Sequence, residues 1–151
     1  MIEIERRFLV DEIPGDLPEP VAVEQSYLAT MPVSVRVRRL GTRRILTIKA
    51  GRGLERMEIE RDLTDPEFDA LWNVPSELRI AKRRHFVDLG GGHTAELDLF
   101  DGDLTGRRLV EVEFATTADA GAFTPPAWFG PEVTDDPRYT NSSLARFGWP
   151  D

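Results

Sequence analysis

The sequence predicts a mainly β fold of the α+β class, built as a barrel or a sandwich. Three observations lead there. Side-chain character alternates with a period of two along most of the chain, which is the signature of strands. The alternating segments recur at short, regular spacing, as in barrels and sandwiches. Segments with helical spacing are few and short.

Taken in order, strands are expected over residues 2–10, 21–29, 33–40, 44–50, 56–62, 80–89, 94–100 and 108–114. Gly41-Thr42 and Gly90-Gly91-Gly92 read as hairpin turns, and Gly51 to Gly53 as another connection. Thr64 with Glu67 three residues later forms a capping-box pattern, and Phe68, Leu71 and Trp72 follow at helical spacing. Thr116 or Thr117 is placed to cap a second helix ending near Phe123, and Pro125-Pro126 stops it. Asn141, Leu144 and Phe147 predict a last helix with Gly148 at its C-terminal end. With no internal repeat, low-complexity stretch or linker, residues 1–151 read as one domain.

Composition excludes several classes. Apolar residues make up 40% of the chain and charged residues 30%, a globular balance. No apolar run is long enough to span a bilayer. The opening Glu3, Glu5, Arg6 and Arg7 leave no apolar signal-peptide core, so the expectation is a cytoplasmic protein with no membrane partner, monomeric or homodimeric. The net charge of −8 argues against a nucleic-acid partner. Without cysteine there is neither disulfide nor thiolate chemistry. His85 and His93 lack zinc spacing and are expected on the surface or in a hairpin. Neither a P-loop nor a nucleophile elbow is present.

The strands carry the functional signal. Glu3, Glu5 and Arg7 share one face of the first, opposite Ile2, Ile4 and Phe8. Arg36/Arg38, Glu58/Glu60, Lys82/Arg84, Glu96/Asp98 and Glu111/Glu113 are further same-face pairs, and Lys49 alternates with Ile48. Alternation alone favours an ordinary sheet with a solvated charged face and an apolar core. Two features point the other way. The pairs are like-signed, with i and i+2 roughly 7 Å apart, whereas cross-strand pairing on a solvated face mixes signs. Arginine, suited to bidentate phosphate contacts, dominates the basic positions. Clustered carboxylates need a counter-ion and clustered arginines an anion; a polyphosphate with divalent metal satisfies both. The apolar faces would then point outward, covered by Phe68, Leu71, Trp72, Phe123, Trp128, Phe129, Leu144 and Phe147.

These residues resemble the CYTH superfamily, the triphosphate tunnel metalloenzymes. Glu3-Ile4-Glu5-Arg6-Arg7-Phe8-Leu9-Val10 is similar to its N-terminal ExExK signature. The likeness continues through Arg36/Arg38, Leu46-Thr47-Ile48-Lys49, Glu58/Glu60, Lys82/Arg84, Glu96-Leu97-Asp98 and Glu111-Val112-Glu113. In the tail, Trp128-Phe129-Gly130, Glu132-Val133-Thr134, Asp136-Pro137-Arg138-Tyr139 and Asn141 resemble bacterial members.

The resemblance implies an eight-stranded antiparallel β-barrel forming a charged tunnel, with short flanking helices. It also implies chemistry on a triphosphate with Mg²⁺ or Mn²⁺. Carried over by position, Glu3, Glu5, Glu111, Glu113 and Asp98 are the expected metal ligands. Arg7, Arg36, Arg38, Lys49, Lys82 and Arg84 are the expected phosphate clamp. Catalytic roles fall to Glu3, Glu5, Arg7, Tyr27, Glu58 and Glu60, and Glu96 lines the tunnel. Arg7 departs from the signature lysine, which in some members works with a tyrosine placed like Tyr27. Arginine stays protonated and cannot act as a base, so its role is electrostatic.

The expected reaction is hydrolysis of inorganic triphosphate. The alternatives are an adenylate cyclase or a thiamine or nucleoside triphosphatase of the same family, and a polyphosphate-binding module without turnover.

Overall fold

The computed structural model describes all residues, 1–151. Eight strands form: β1 (Ile2–Leu9), β2 (Val21–Ala29), β3 (Ser34–Leu40), β4 (Arg43–Ala50), β5 (Glu55–Asp62), β6 (Arg79–Gly90), β7 (His93–Phe100) and β8 (Arg108–Phe114). Each lies within about one residue of the bounds that period-two alternation predicts. They close into a barrel in the order β1-β5-β4-β3-β2-β6-β7-β8, every pair antiparallel. Gly41 (φ 57°) and Gly90 to Gly92 (φ 75°, 61° and 81°) make the β3–β4 and β6–β7 hairpins in a backbone region that side chains disfavour. No helix is long and apolar enough to cross a membrane.

Barrel closure decides which face is inside, and it is the charged one. Glu3, Glu5, Arg7, Arg36, Arg38, Lys82, Arg84, Asp98 and Glu111 are all buried. The opposite faces of β1, β7 and β8 present Ile4, Phe8, Ala95, Leu97, Val110, Val112 and Phe114, and these are buried by an outer layer. That layer is α2 (Thr117–Ala122), capped by Thr116, with Phe123, Trp128 and Phe129 beyond it. On the other side, α1 (Asp65–Trp72) covers β3 and β4. Thr64 and Glu67 complete the expected capping box. Phe68 is fully buried and stacks on Trp72, and the guanidinium groups of Arg39 and Arg44 lie over its ring at 5.0 and 5.4 Å.

At one end the inward rows turn apolar. Ile80, Phe100 and Leu109 each stand two residues from Lys82, Asp98 and Glu111, and so share their faces. Leu144 of α3 (Asn141–Phe147) packs on them and closes that end. Two expectations are corrected here. Phe147 covers nothing: it is 77% exposed, because Leu144 fills the plug and Phe147 falls on the free side of a short helix. His85 is buried rather than superficial, its Nδ1 2.7 Å from the Pro18 carbonyl on the outer face of β6. His93 does belong to the β6–β7 hairpin, against Phe114 and Phe123. The 3-10 turns Gly102–Leu104 and Pro137–Tyr139 carry no periodic signal and were not expected.

The tail fastens along β1. β1 pairs with β8 from Ile4 to Leu9, but its pairing with β5 reaches only Ile4. The free edge is taken by residues 130–133: Gly130 N donates to Leu9 O (2.7 Å), Leu9 N to Pro131 O (2.9 Å) and Val133 N to Arg7 O (2.8 Å). Arg6 forks onto Glu132 at 2.7 and 3.0 Å and donates to the Ala120 and Phe123 carbonyls, tying α2 to the same strap. A methyl group on Gly130 would meet Leu9 O at 2.7 Å, and backbone cannot yield as a flexible side chain can. Gly130→Ala is therefore expected to cost about 1–3 kcal/mol. A thermal melt should show a fall of several degrees, and an unchanged melting temperature would mean that the strap is not held this closely.

Candidate active site

Every expected site residue except Asp98 lines one cavity inside the barrel: Glu3, Glu5, Arg7, Tyr27, Arg36, Arg38, Lys49, Glu58, Glu60, Lys82, Arg84, Glu96, Glu111 and Glu113. The cavity has 19 lining residues, of which 1 is hydrophobic, so it suits ions rather than an apolar ligand. Two-residue spacing accounts for this: each strand contributes the successive inward positions of one face.

Opposite charges pair across strands. Lys82 Nζ donates to Asp98 Oδ2 at 2.6 Å. Arg84 forks onto Asp98 at 2.8 and 2.9 Å and reaches Glu96 at 2.7 Å. Asp98 therefore has both oxygens taken and stands behind the basic groups rather than in the cavity. Arg7 bridges Glu5 (3.1 Å) and Glu111 (3.4 Å). Lys49 lies between Glu3 (2.9 Å) and Glu58 (3.3 Å).

Two arginines break the pattern. Arg36 is buried and has no carboxylate within ion-pair reach; Arg38 is buried with only Glu60 at 4.0 Å. The Nε–H groups of Arg7, Arg36 and Arg38 are buried without a hydrogen-bond partner. Burial, then the charge of Arg36 beside it, pulls the Arg38 guanidinium down to about 10. Burial also works against the charge of Arg36, while the oxygen of Tyr27, its cross-strand neighbour, more than offsets it. A hydroxyl oxygen can accept a hydrogen bond but does not take the place of a carboxylate. Unpartnered buried cations are costly, and a multiply charged anion between these arginines would remove the cost.

The carboxylates show the converse strain. Burial and the neighbouring Glu111 push Glu5 well above the usual carboxylate range. Glu111 is held well below it: burial is outweighed by Arg7, by the hydrogen bond from Glu5 and by Arg84. Glu113 and Glu58 are raised, first by burial. Glu3 is lowered: burial is outweighed by Lys49, the hydrogen bond from Glu5 and Arg56 acting together. Burial lowers the Lys82 ammonium to about 8.

Pattern reading missed several residues. Arg56 lines the cavity 3.7 Å from Glu3 and 3.6 Å from Glu5. It shares the face of Glu58 and Glu60, so the spacing marks it, but a search for like-signed pairs passes over it. Asn141 and Gln25 are buried in a polar chain with Lys82 and Tyr27. Asn141 stands in the tail resemblance without a role, and no local signal separates Gln25 from ordinary polar residues.

A closed eight-stranded barrel with a buried lining of paired and unpaired charges defines a tunnel protein for a polyanion. This chain belongs to the CYTH family: the CYTH domain profile matches residues 1–121. It is 43% identical over 147 residues to an inorganic triphosphatase of Nitrosomonas europaea, covering 96% of this chain and 97% of that one. It is 32% identical over 150 residues to an inorganic triphosphatase of Acetivibrio thermocellus, covering 95% and 93%. A solved crystal structure of an inorganic triphosphatase matches with a TM-score of 0.68 at 41% identity, covering 95% of this chain and 93% of that one.

Proposed function

We propose that this protein hydrolyses inorganic triphosphate to diphosphate and orthophosphate, with Mg²⁺ or Mn²⁺ as cofactor. The observation that carries this reading is the buried pair Arg36, with no carboxylate partner, and Arg38, with only Glu60 at 4.0 Å, beside Arg84 in a cavity that also holds carboxylates. Two relatives that cover nearly the whole chain are inorganic triphosphatases, which supports the same substrate here.

No three acidic or imidazole side chains form a ready-made metal cage. The residues nonetheless fit a hard cation of the magnesium type, which is held through one or two carboxylates plus substrate oxygens and waters. Glu3, which shares Lys49 with Glu58, and the crowded Glu5 and Glu113 are the groups that would hold it, with Glu111 beside them. Asp98, spent on Lys82 and Arg84, orients those two instead. Bound there, the cation would neutralise phosphate charge and acidify a water.

The chain's own groups supply the rest. Arg36, Arg38, Arg84, Lys82 and Arg7 grip the phosphate oxygens and stabilise the charge that shifts onto the equatorial and leaving oxygens in the transition state. Lys49 and Arg56 offset the mutual repulsion of the carboxylates they lie between. Glu58 and Glu60, less buried, are placed to take the proton of the attacking water. Water adds to the terminal phosphorus, the bridging P–O bond breaks, and diphosphate leaves with its electron pair. The tail completes the cavity wall, so residues 1–151 act as one unit.

The test is phosphate release from triphosphate with Mg²⁺ or Mn²⁺, run beside ATP and thiamine triphosphate, with cyclic AMP assayed in the ATP arm. Triphosphate is expected to turn over fastest, and chelation should stop it. Absence of turnover with every triphosphate would sink the enzymatic reading, and cyclic AMP formation would replace it with a cyclase.

A further inference from the structure

Asn141 is the first residue of α3 and lies outside the residues 1–121 matched by the family profile. It is nonetheless buried against the cavity floor. Lys82 Nζ donates to its Oδ1 at 3.0 Å, and Gln25 Nε2 donates to the same oxygen at 3.3 Å. Gln25 Nε2 also stands 3.0 Å from the Tyr27 hydroxyl.

An ammonium group can only donate, so the amide oxygen of Asn141 must face Lys82. That fixes the amide orientation and turns Nδ2 the other way. Nδ2 bonds no protein group, yet it is not sealed off as the orphaned arginine Nε atoms are. It is an unspent donor open to the cavity. Its position is held firmly from outside. Thr140 caps α3 by accepting from Ser143 N at 3.3 Å, and Leu144 anchors the helix in the apolar plug with Ile80, Phe100 and Leu109.

From this geometry we infer that Asn141 is a substrate-contacting residue: its Nδ2 donates to an oxygen of the phosphate group seated at the plugged end of the tunnel, beside Lys82. The inference rests on the reading of the substrate as a linear triphosphate. It makes the tail part of the binding site rather than an external brace. A neutral donor among cations adds a directional contact without adding to their mutual repulsion.

Asn141→Asp and Asn141→Ala separate this role from a purely structural one. Aspartate keeps an oxygen for Lys82 and Gln25, so a residue that merely positions Lys82 would be better replaced by Asp than by Ala. Aspartate also lacks the donor and sets a carboxylate against phosphate. Triphosphate affinity is measured by calorimetry without metal, kcat and KM with metal, and melting temperature without ligand. Losing one hydrogen bond to a charged group should weaken binding about tenfold or more in the Ala variant, and repulsion should weaken it further, to roughly a hundredfold, in the Asp variant. The unliganded Asp variant should melt no lower than the Ala variant. The inference is overturned if Asp binds triphosphate as tightly as Ala, or if Ala binds like the wild type, while the wild type still turns triphosphate over. If the wild type binds no triphosphate, the proposed substrate falls and this contact falls with it.

Discussion

Arg36→Ala or Arg38→Ala is expected to lower kcat/KM for triphosphate by about a hundred- to a thousandfold, the range for removing one preorganised donor from a charge-stabilising site. Arg38→Ala should not destabilise the unliganded protein. An arginine in an ion pair leaves an orphaned carboxylate when it is removed. Arg36 has no such partner, and Arg38 has only Glu60 at 4.0 Å. The Arg38 guanidinium is pulled down to about 10 by burial and by Arg36. Its charge therefore opposes folding, and the penalty holds at every pH below about 10. It corresponds to roughly 3 kcal/mol at the usual conversion of pKa into free energy. Part of that should be recovered in the alanine variant as a higher melting temperature. Triphosphate should raise the melting temperature of the wild type by mass action and raise that of the variants much less. Arg36→Lys restores the charge without the fork and should recover only part of the activity. If both alanine variants bind and hydrolyse triphosphate like the wild type, the anion does not lie between these arginines.

Glu3→Gln and Glu5→Gln should have effects of similar size on turnover and opposite effects on the unliganded fold. Even an outer-shell partner of a bound metal is worth about 10- to 100-fold, so losing a ligand should lower metal-dependent turnover by more than roughly a hundredfold. The cation-induced rise in melting temperature should shrink in both. Without metal the two diverge. Glu3 is lowered in the folded state because Lys49, Glu5 and Arg56 together outweigh burial. Its contribution is present above the usual carboxylate range and is lost as pH falls through its folded value. Glu3→Gln should therefore destabilise at neutral pH and progressively less in acid. Glu5 is raised by burial and by Glu111, so the folded state disfavours its charge. A glutamine removes that charge and keeps the shape, so Glu5→Gln should be neutral or slightly stabilising at pH 7. Melting curves at pH 4 and pH 7, with and without Mg²⁺, read out both variants. Equal behaviour of the two would contradict the division of labour between them.

Much of the site was legible in the sequence, for an identifiable reason. The i, i+2 rule is local: once a segment is a strand, Arg36 and Arg38 must share a face, as must Glu3, Glu5 and Arg7. Like charges repeated on one face across many strands then require counter-ions. The capping box at Thr64 and Glu67 is equally local, and it forms as written. Where local rules ran out, the reading erred or was silent. Helical spacing assigns Phe147 to the buried stripe, but the plug needs only Leu144. Arg56 was passed over because its partners, Glu3 and Glu5, lie on another strand.

The sequence by itself therefore determined which residues form strands, which of them share a face, and that the shared charges call for an anion and a cation. It could not determine which face turns inward, because alternation is the same pattern read from either side. Tertiary structure decided that. Closure through β1–β8 and β2–β6 turned the charged rows inward, and α1, α2 and the tail strap gave the apolar rows somewhere to be buried. Tertiary structure also chose which charges neutralise one another and which stay unpaired. Lys82 meets Asp98, and Arg7 meets Glu5 and Glu111, whereas Arg36 meets no carboxylate. Those pairings depend on register between strands far apart in the chain, and cross-strand distance, not spacing along the sequence, fixes the energy of a buried charge.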